Sequence, residues 1–216
     1  MIKIASLVDS VLIECDLALQ KIGVKRARKW TYTRSLSSAA TGVVSLTTAG
    51  IRTVPSGVGV NPSCGARLDD VVRLVNTLRD KIKHRSTVCN VITNVGYVMP
   101  PRRYREWEFY PGSDLSKIAA EMAEAVVEYG FPFMEHAASL ESLADMFQAN
   151  QYGARATKAY DYPVVLAKLQ RLELARAVLM EELEFARANT TSLVDIEEYR
   201  VFADRFCDEF ELRRLD

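Results

Sequence analysis

Apolar side chains recur at helical spacing over the first 22 residues of the chain. They are Ile4, Leu7, Val11, Cys15, Ala18 and Ile22. Gly23 follows at the point where a residue with left-handed backbone commonly ends a helix. The pattern predicts a helix from about residue 3 to residue 22.

Five later stretches have the composition of β-strands. Residues 24–34 become rich in β-branched and aromatic side chains, and residues 41–48 and 53–61 are similar runs bounded by Ser, Pro and Gly. These three predict the first strands of an antiparallel meander. Residues 87–98 predict a further strand, and residues 106–110 predict a short edge strand because charged and aromatic side chains alternate there.

Helical spacing returns between these stretches and after them. A helix predicted over about residues 67–83 would cover one face of the sheet. Another is expected to begin at Ser113 and to stop at Gly130 and Pro132, and a shorter helix is predicted over residues 139–148. The second half of the chain is therefore predicted to be mainly helical.

The last third of the chain predicts two long helices. Pro163 opens a helix over about residues 163–188, residues 189–192 form a polar break, and an apolar stripe that starts at Ile196 predicts the final helix. Two consecutive helices joined by a short break form a helical hairpin.

Together these elements predict an α+β fold: an antiparallel sheet of about five strands, covered by helices and followed by a C-terminal helical hairpin. Residues 148–161 are polar and lack a periodic apolar face, which favours a boundary there. We therefore expect a sheet domain over residues 1–150 and the hairpin over residues 151–216.

Composition narrows the class of protein. A chain of 216 residues with 49% hydrophobic residues can bury one substantial core, and no apolar run approaches the roughly 20 residues of a membrane-spanning helix. Asp9, Glu14 and Asp16 interrupt any signal-peptide core. The four cysteines are scattered without a zinc pattern, so we expect free thiols and a cytoplasmic location. We also expect no membrane partner, no metal and no cofactor.

The net charge of zero hides an uneven distribution. Residues 1–110 contain 17 Lys and Arg against 8 Asp and Glu, and residues 111–216 contain 11 against 20. The basic part can face an anionic partner, and the acidic part can face a basic one. The simplest interpretation needs no partner, because the two halves attract each other.

Two basic clusters are candidate binding sites. Cations beside aromatic rings suit nucleic acid, and the first cluster contains Arg28, Lys29, Trp30 and Arg34. Strand alternation alone, with aromatic rings in the core and cations in solvent, also explains this cluster and is favoured, because the alternation itself predicts that arrangement. The second cluster follows Pro100 and Pro101 and contains Arg102, Arg103, Tyr104 and Arg105. It is either a docking point for carboxylate or phosphate, or an ordinary solvated loop.

The acidic candidates lie on the last two predicted helices and form a surface suited to a basic partner. They are Glu181, Glu182, Glu184, Glu197 and Glu198. The apolar stripe of each helix lies on a different side from these glutamates. The carboxylates are therefore expected to be exposed and unsuited to acid–base catalysis. Neither His84 nor His136 has the neighbours of a catalytic or metal site, so no catalytic residue is predicted.

Three short motifs resemble a group of uncharacterised bacterial α+β proteins, over at most residues 1–150. They are LALQKIGVKR at residues 17–26, WTY at residues 30–32 and VGVN at residues 58–61. In that group a helix ends in glycine and a hydrophobic residue, and a basic stretch leads into an aromatic strand. The resemblance implies an accessory or toxin-immunity factor and supplies no catalytic residues.

The sequence therefore leaves three hypotheses about function. The first is a non-enzymatic protein-binding factor, of the immunity or accessory type, that acts through its acidic helical surface. The second is a nucleic-acid-associated module that uses the basic first half. The third is an enzyme whose pocket no linear motif reveals. Self-association through the long hairpin stays open.

Overall fold

The computed structural model describes residues 4–51, 57–79, 89–152, 155–189 and 195–215, and within them the chain forms six strands and eight α-helices. The strands are β1 Lys25–Arg28, β2 Thr31–Ser35, β3 Ala40–Gly50, β4 Val58–Leu68, β5 Val91–Asn94 and β6 Trp107–Phe109. The helices are α1 Ile4–Lys21, α2 Asp69–Leu78, α3 Leu115–Ala125, α4 Phe131–His136, α5 Leu140–Gln148, α6 Arg155–Lys168, α7 Leu172–Ala188 and α8 Ile196–Glu209. The predicted α+β fold is confirmed.

The strands form one antiparallel sheet in the order β1-β2-β3-β4-β5, and β6 also pairs with β4. In the β2–β3 pair, Tyr32 lies opposite Val44 and Arg34 lies opposite Gly42. Tyr32 and Val44 are buried, and Gly42 packs close to the sulfur atom of Met134 in α4. Helices α1, α3 and α4 therefore belong to the same layered core as the sheet, with α1 packed on α3 and α3 in contact with β6.

The predicted single strand over residues 24–34 is wrong, because the chain reverses direction within it. β1 and β2 are joined by a two-residue turn at Lys29 and Trp30, and Trp30 has a backbone φ of 66°. Two-residue hairpin turns require positive φ, which Gly, Asn or Asp usually supplies. Trp30 is half-buried in the turn, so the indole ring does not enter the core as strand alternation predicted.

The predicted helix stop at Gly130 and Pro132 is also wrong. A π-helical turn, Val126–Gly130, joins α3 to α4, and Pro132 lies in the first turn of α4, so the helix continues through both residues. A Cβ atom at Gly130 would lie 2.5 Å from the Sγ atom of Cys64. This glycine is therefore needed for close packing of the helix against β4.

The C-terminal part contains three helices where a hairpin was predicted. The polar stretch expected to be a boundary begins α6, and Pro163 lies inside that helix. The long helix predicted over residues 163–188 is interrupted before α7, at a turn where Gln170 has a φ of 60°. The predicted strand start at Thr53, the predicted helix end near residue 83 and the break at residues 190–192 lie outside the described residues.

The chain divides into two compact units that do not follow the linear boundary predicted near residue 150. Unit 1 comprises residues 1–66 and 92–136, and unit 2 comprises residues 67–91 and 137–216. Unit 1 contains 12 Lys and Arg against 10 Asp and Glu, and unit 2 contains 16 against 18. The charge asymmetry along the sequence is therefore almost absent from the folded units.

The proline inside α6 leaves one carbonyl without its helical donor. Pro163 has no N–H, so the carbonyl of Ala159, four residues earlier, cannot receive the usual helix bond. The Tyr199 hydroxyl in α8 donates to this oxygen at 3.0 Å. Tyr199 also stacks edge-on against Tyr160 in the core of unit 2. One hydroxyl thus completes the backbone of α6 and ties it to α8.

We expect Y199F to lower the free energy of unfolding by about 1–3 kcal/mol, because it leaves a buried carbonyl unsatisfied. The variant P163A restores an N–H at the right place, so Y199F should cost much less in that background. Urea unfolding of the wild type, both single variants and the double variant gives the coupling energy. An equal cost of Y199F in both backgrounds would contradict this role of the hydroxyl.

The structure also bears on the expected thiols and on the expected absence of a membrane-spanning helix. All four cysteines, Cys15, Cys64, Cys89 and Cys207, are buried thiols, and burial raises the pKa of both Cys15 and Cys89 to about 12. Among the described residues, no helix has the length and apolar character needed to cross a bilayer.

Candidate functional site

A concave polar site lies in the connection between β5 and β6, residues 95–106, which we name the arginine loop. It begins with one turn of 3-10 helix, Val95–Tyr97, and contains a cis peptide bond between Pro100 and Pro101. Arg102, Arg103 and Arg105 follow within four residues, and all three side chains are exposed. The loop therefore presents three guanidinium groups to solvent from a short segment.

The side chain of Asn94 fixes both ends of the arginine loop. Its Oδ1 atom accepts from the backbone N–H of Gly96 at 2.9 Å and of Arg105 at 3.2 Å, and its Nδ2 atom donates to the Arg105 carbonyl at 3.0 Å. Asn94 is buried, so these bonds are shielded from water. The backbone that carries Arg105 is thus held by β5.

Gly96 allows the two arms of the arginine loop to touch. A Cβ atom at this position would lie 2.2 Å from the Arg103 carbonyl oxygen and 2.7 Å from the Arg105 backbone nitrogen. Both are backbone atoms, which cannot move aside as a flexible side chain can. Glycine is required here by close approach of the chain to itself.

The arginines of the arginine loop form no ion pair with a described carboxylate. The Arg105 guanidinium lies over the Trp107 ring at 4.9 Å from its centroid. By contrast, Arg34 pairs with Glu135 at 3.6 Å and lies over the Phe131 ring. Guanidinium groups without carboxylate partners are available to an anionic ligand.

A pocket of about 510 Å³ opens within the arginine loop. Its lining includes Met99, Arg103, Tyr104, Arg105 and Glu106. Tyr104 is 50% exposed, and Tyr97 at the start of the loop is 45% exposed. The pocket therefore combines cations, one carboxylate and an accessible aromatic ring.

Glu106 brings its carboxylate to the same place. A Cβ atom at Gly59 in β4 would lie 2.8 Å from Glu106 Oε2, so the carboxylate rests against the glycine backbone. The Tyr104 hydroxyl donates to Glu106 Oε2 at 3.3 Å. Partial burial, followed by the negative charge of Glu106, raises the pKa of Tyr104.

The first basic cluster lies elsewhere on the sheet. Arg28 and Lys29 are exposed on and just after β1, which is an edge strand, and β2 and β3 separate β1 from the strand that pairs with β5 and β6. The two basic clusters are therefore not brought together. Exposed Lys and Arg on an edge strand commonly prevent pairing with other chains, which explains this cluster without a ligand.

The acidic candidates divide into two groups. Glu181, Glu184 and Glu197 are exposed. Glu182 is only 8% exposed and pairs with Arg155 at 3.2 Å. Glu198 accepts from Nε and Nη2 of Arg79, at 3.0 and 2.5 Å, and Arg79 in turn lies over the Tyr160 ring. Two of the five carboxylates thus already form ion pairs with arginines of unit 2.

Sequence periodicity missed an apolar feature beside the exposed acids. Leu174 is 44% exposed and Met180 is 41% exposed, and both lie on α7 among Glu173, Glu181 and Glu184. A helix turns by about 100° per residue, so Leu174 and Met180 lie about 120° apart around α7, and the exposed glutamates lie between them. Part of this acidic face therefore carries accessible apolar surface.

Asp161 is a buried carboxyl group that the sequence analysis also missed, because its segment was predicted to be a linker. Asn90 donates to Asp161 Oδ2 at 2.7 Å, and Asn90 Oδ1 accepts from the backbone N–H of Leu68 at 2.7 Å. Burial raises the pKa of Asp161 to about 7, although Asn90 and then Arg79 act in the opposite direction. The carboxyl group anchors α6 to the start of α2.

Asp161 also lines a pocket of about 240 Å³ in unit 2, together with Arg79, Tyr160 and Glu198. A carboxyl group that titrates near neutral pH in a pocket has the protonation behaviour of an acid–base group. However, the neighbouring Arg79 already pairs with Glu198. The same arrangement is therefore also expected of a structural cluster whose polar groups are satisfied. No group of three potential metal ligands occurs among the residues that the structure describes.

Comparison of the chain with protein-family models, with curated proteins and with solved structures finds no match. The resemblance to a group of bacterial α+β proteins therefore stays a prediction. Any functional conclusion has to come from the geometry of the chain itself.

Proposed function

We propose that this protein binds the phosphate backbone of nucleic acid through the arginine loop. The observation that carries the proposal is the group Arg102, Arg103 and Arg105, held on a fixed backbone without ion pairs to described carboxylates. Guanidinium groups bind phosphate through paired N–H donors, and a backbone that is already ordered lowers the entropy cost of binding.

The geometry favours this function over binding through the acidic surface, which the sequence placed first. Glu182 and Glu198 already neutralise arginines of unit 2, so the acidic surface is smaller than the sequence suggested. The net charge of each unit is small, so long-range attraction contributes little to either function. Local geometry supports the arginine loop, whose backbone is held by Asn94 and whose pocket presents arginine side chains.

Fluorescence anisotropy with labelled 20-nucleotide single strands and duplexes tests the proposal. We expect binding at 50 mM salt that weakens steeply by 200 mM, because each phosphate contact releases a bound counterion. A polyanion such as heparin should compete. Absence of binding to every strand at 50 mM salt would remove the proposal.

A second function, binding of a basic protein, is supported by the α7 face that carries Leu174 and Met180 among glutamates. Accessible apolar side chains beside charged ones can supply the apolar contacts of a protein-binding site. Affinity purification from the native host should then recover one partner in the presence of nuclease. Recovery should be lost with L174E/M180E and retained with E141Q, which changes an exposed acid on α5. Equal recovery with both variants would exclude this face.

A further inference from the structure

We propose that the pocket of the arginine loop holds a single unpaired nucleotide whose base carries an amino group, so that the ligand is a single strand. The proposal rests on the proposed function and makes it more specific. It follows from the volume of the pocket, from the exposed Tyr104 ring and from the position of Glu106.

The size and shape of the pocket favour an unpaired nucleotide. Sites for small ligands are typically about 300–1,000 Å³, and this pocket is about 510 Å³. The phosphates of a duplex lie on a convex surface with their bases paired inside, so a duplex cannot place a base in a concave pocket. Flexible single strands can turn a base outward.

The lining supplies a partner for each part of a nucleotide. Arg103 and Arg105 offer guanidinium donors to the phosphate, and Tyr104 offers an accessible aromatic ring on which a base can stack. Arg102 is exposed on the same loop and can contact the next phosphate. Backbone contact and base contact thus come from one short segment.

Glu106 determines which bases fit. Glu106 lines the pocket, and its Oε2 atom accepts from the Tyr104 hydroxyl, while Oε1 can accept a further hydrogen bond. A carboxylate accepts a hydrogen bond from the amino group of cytosine, whereas it meets a carbonyl oxygen at the same position of uracil. The pocket should therefore prefer cytosine to uracil.

Gly59 positions Glu106. The missing Cβ atom leaves room for the carboxylate against β4, and a methyl group there would approach Oε2 to 2.8 Å. Because a glutamate side chain can rotate away, G59A should fold and should move the carboxylate from the pocket wall. Gly59 acts through Glu106 and is a positioning residue.

The test compares labelled oligo(dC) and oligo(dU) ten-mers with the wild type, E106Q and G59A. The wild type is expected to bind oligo(dC) about tenfold more tightly than oligo(dU). E106Q should bind both oligonucleotides to a similar extent, because an amide can donate to a carbonyl as well as accept. G59A should reduce the preference while leaving the circular dichroism spectrum unchanged, and Y104A should weaken both complexes by about tenfold.

The outcomes separate this inference from the proposed function. A wild type that binds both ten-mers equally, or that binds a duplex as tightly as a single strand, would overturn the nucleotide pocket and leave phosphate binding intact. A preference for oligo(dC) that persists in E106Q would overturn the role of Glu106. Absence of binding to any strand would remove the proposed function itself.

Discussion

Ionisation of Asp161 alone is expected to lower the free energy of unfolding by up to about 4 kcal/mol as the pH rises from 4 to 8, and the variant D161N should lack this loss. In the folded protein the pKa of Asp161 is about 7, against 3.8 for an ordinary aspartate, because burial penalises the charged form. Between these values the folded state holds one proton more than the unfolded state. The stabilisation that protonated Asp161 contributes is therefore fully present below about pH 4 and is lost as the pH rises through 7.

Asparagine suits the site sterically and chemically. The backbone N–H of Leu68 fixes the orientation of the Asn90 amide, so Nδ2 always points at residue 161 and the new amide oxygen can accept from it. Urea unfolding of wild type and D161N at pH 4, 6 and 8 measures the difference. D145N, which changes an exposed carboxylate of α5, serves as the control. A constant difference between wild type and D161N across this range would contradict the assignment.

Removal of the three guanidinium groups in R102A/R103A/R105A is expected to weaken single-strand binding by about a hundredfold at 50 mM salt. The slope of log affinity against log salt should become less negative by about 2, since each lost phosphate contact removes about 0.7 from it. Anisotropy titrations at four salt concentrations give both quantities.

The matched control is K25A/R28A/K29A, which removes the same formal charge from β1 and its turn at the opposite edge of the sheet. This variant should change the affinity and the slope only slightly. Equal losses in both triple variants would mean that binding depends on total charge and has no defined site. Thermal unfolding of both variants checks that they are folded.

Local signals predicted much of the secondary structure. α1 lies within one residue of its predicted range, and Ser139 caps α5 by accepting from the Ser142 N–H at 3.1 Å, as its position suggested. These signals act within a few residues of the chain. Their effect on the backbone therefore depends little on the surrounding tertiary structure.

The errors occurred where a distant contact overrides the local pattern. Trp30 takes a turn conformation although no glycine marks the reversal, and its carbonyl accepts from the distant Leu46 N–H in β3 at 2.8 Å. Pro163 is tolerated inside α6 because Tyr199, 36 residues later in the chain, supplies the missing donor. Neither partner can be identified from a linear pattern.

The candidate site was predicted in part. The arginines and Tyr104 stand together in the sequence and were singled out as a docking point. The elements that make them a pocket are a buried amide at Asn94, a close approach at Gly96 and a carboxylate lodged against Gly59. Each depends on chain segments that meet only in the folded protein, so sequence alone left an ordinary solvated loop as an equal alternative.

Ultraviolet cross-linking of the wild-type protein to a single-stranded oligonucleotide, followed by peptide mass spectrometry, locates the nucleic-acid contact. We expect a nucleotide adduct within residues 97–104, and its loss in R102A/R103A/R105A. An adduct confined to the peptide that contains Trp30, or to α7 and α8, would contradict binding at the arginine loop.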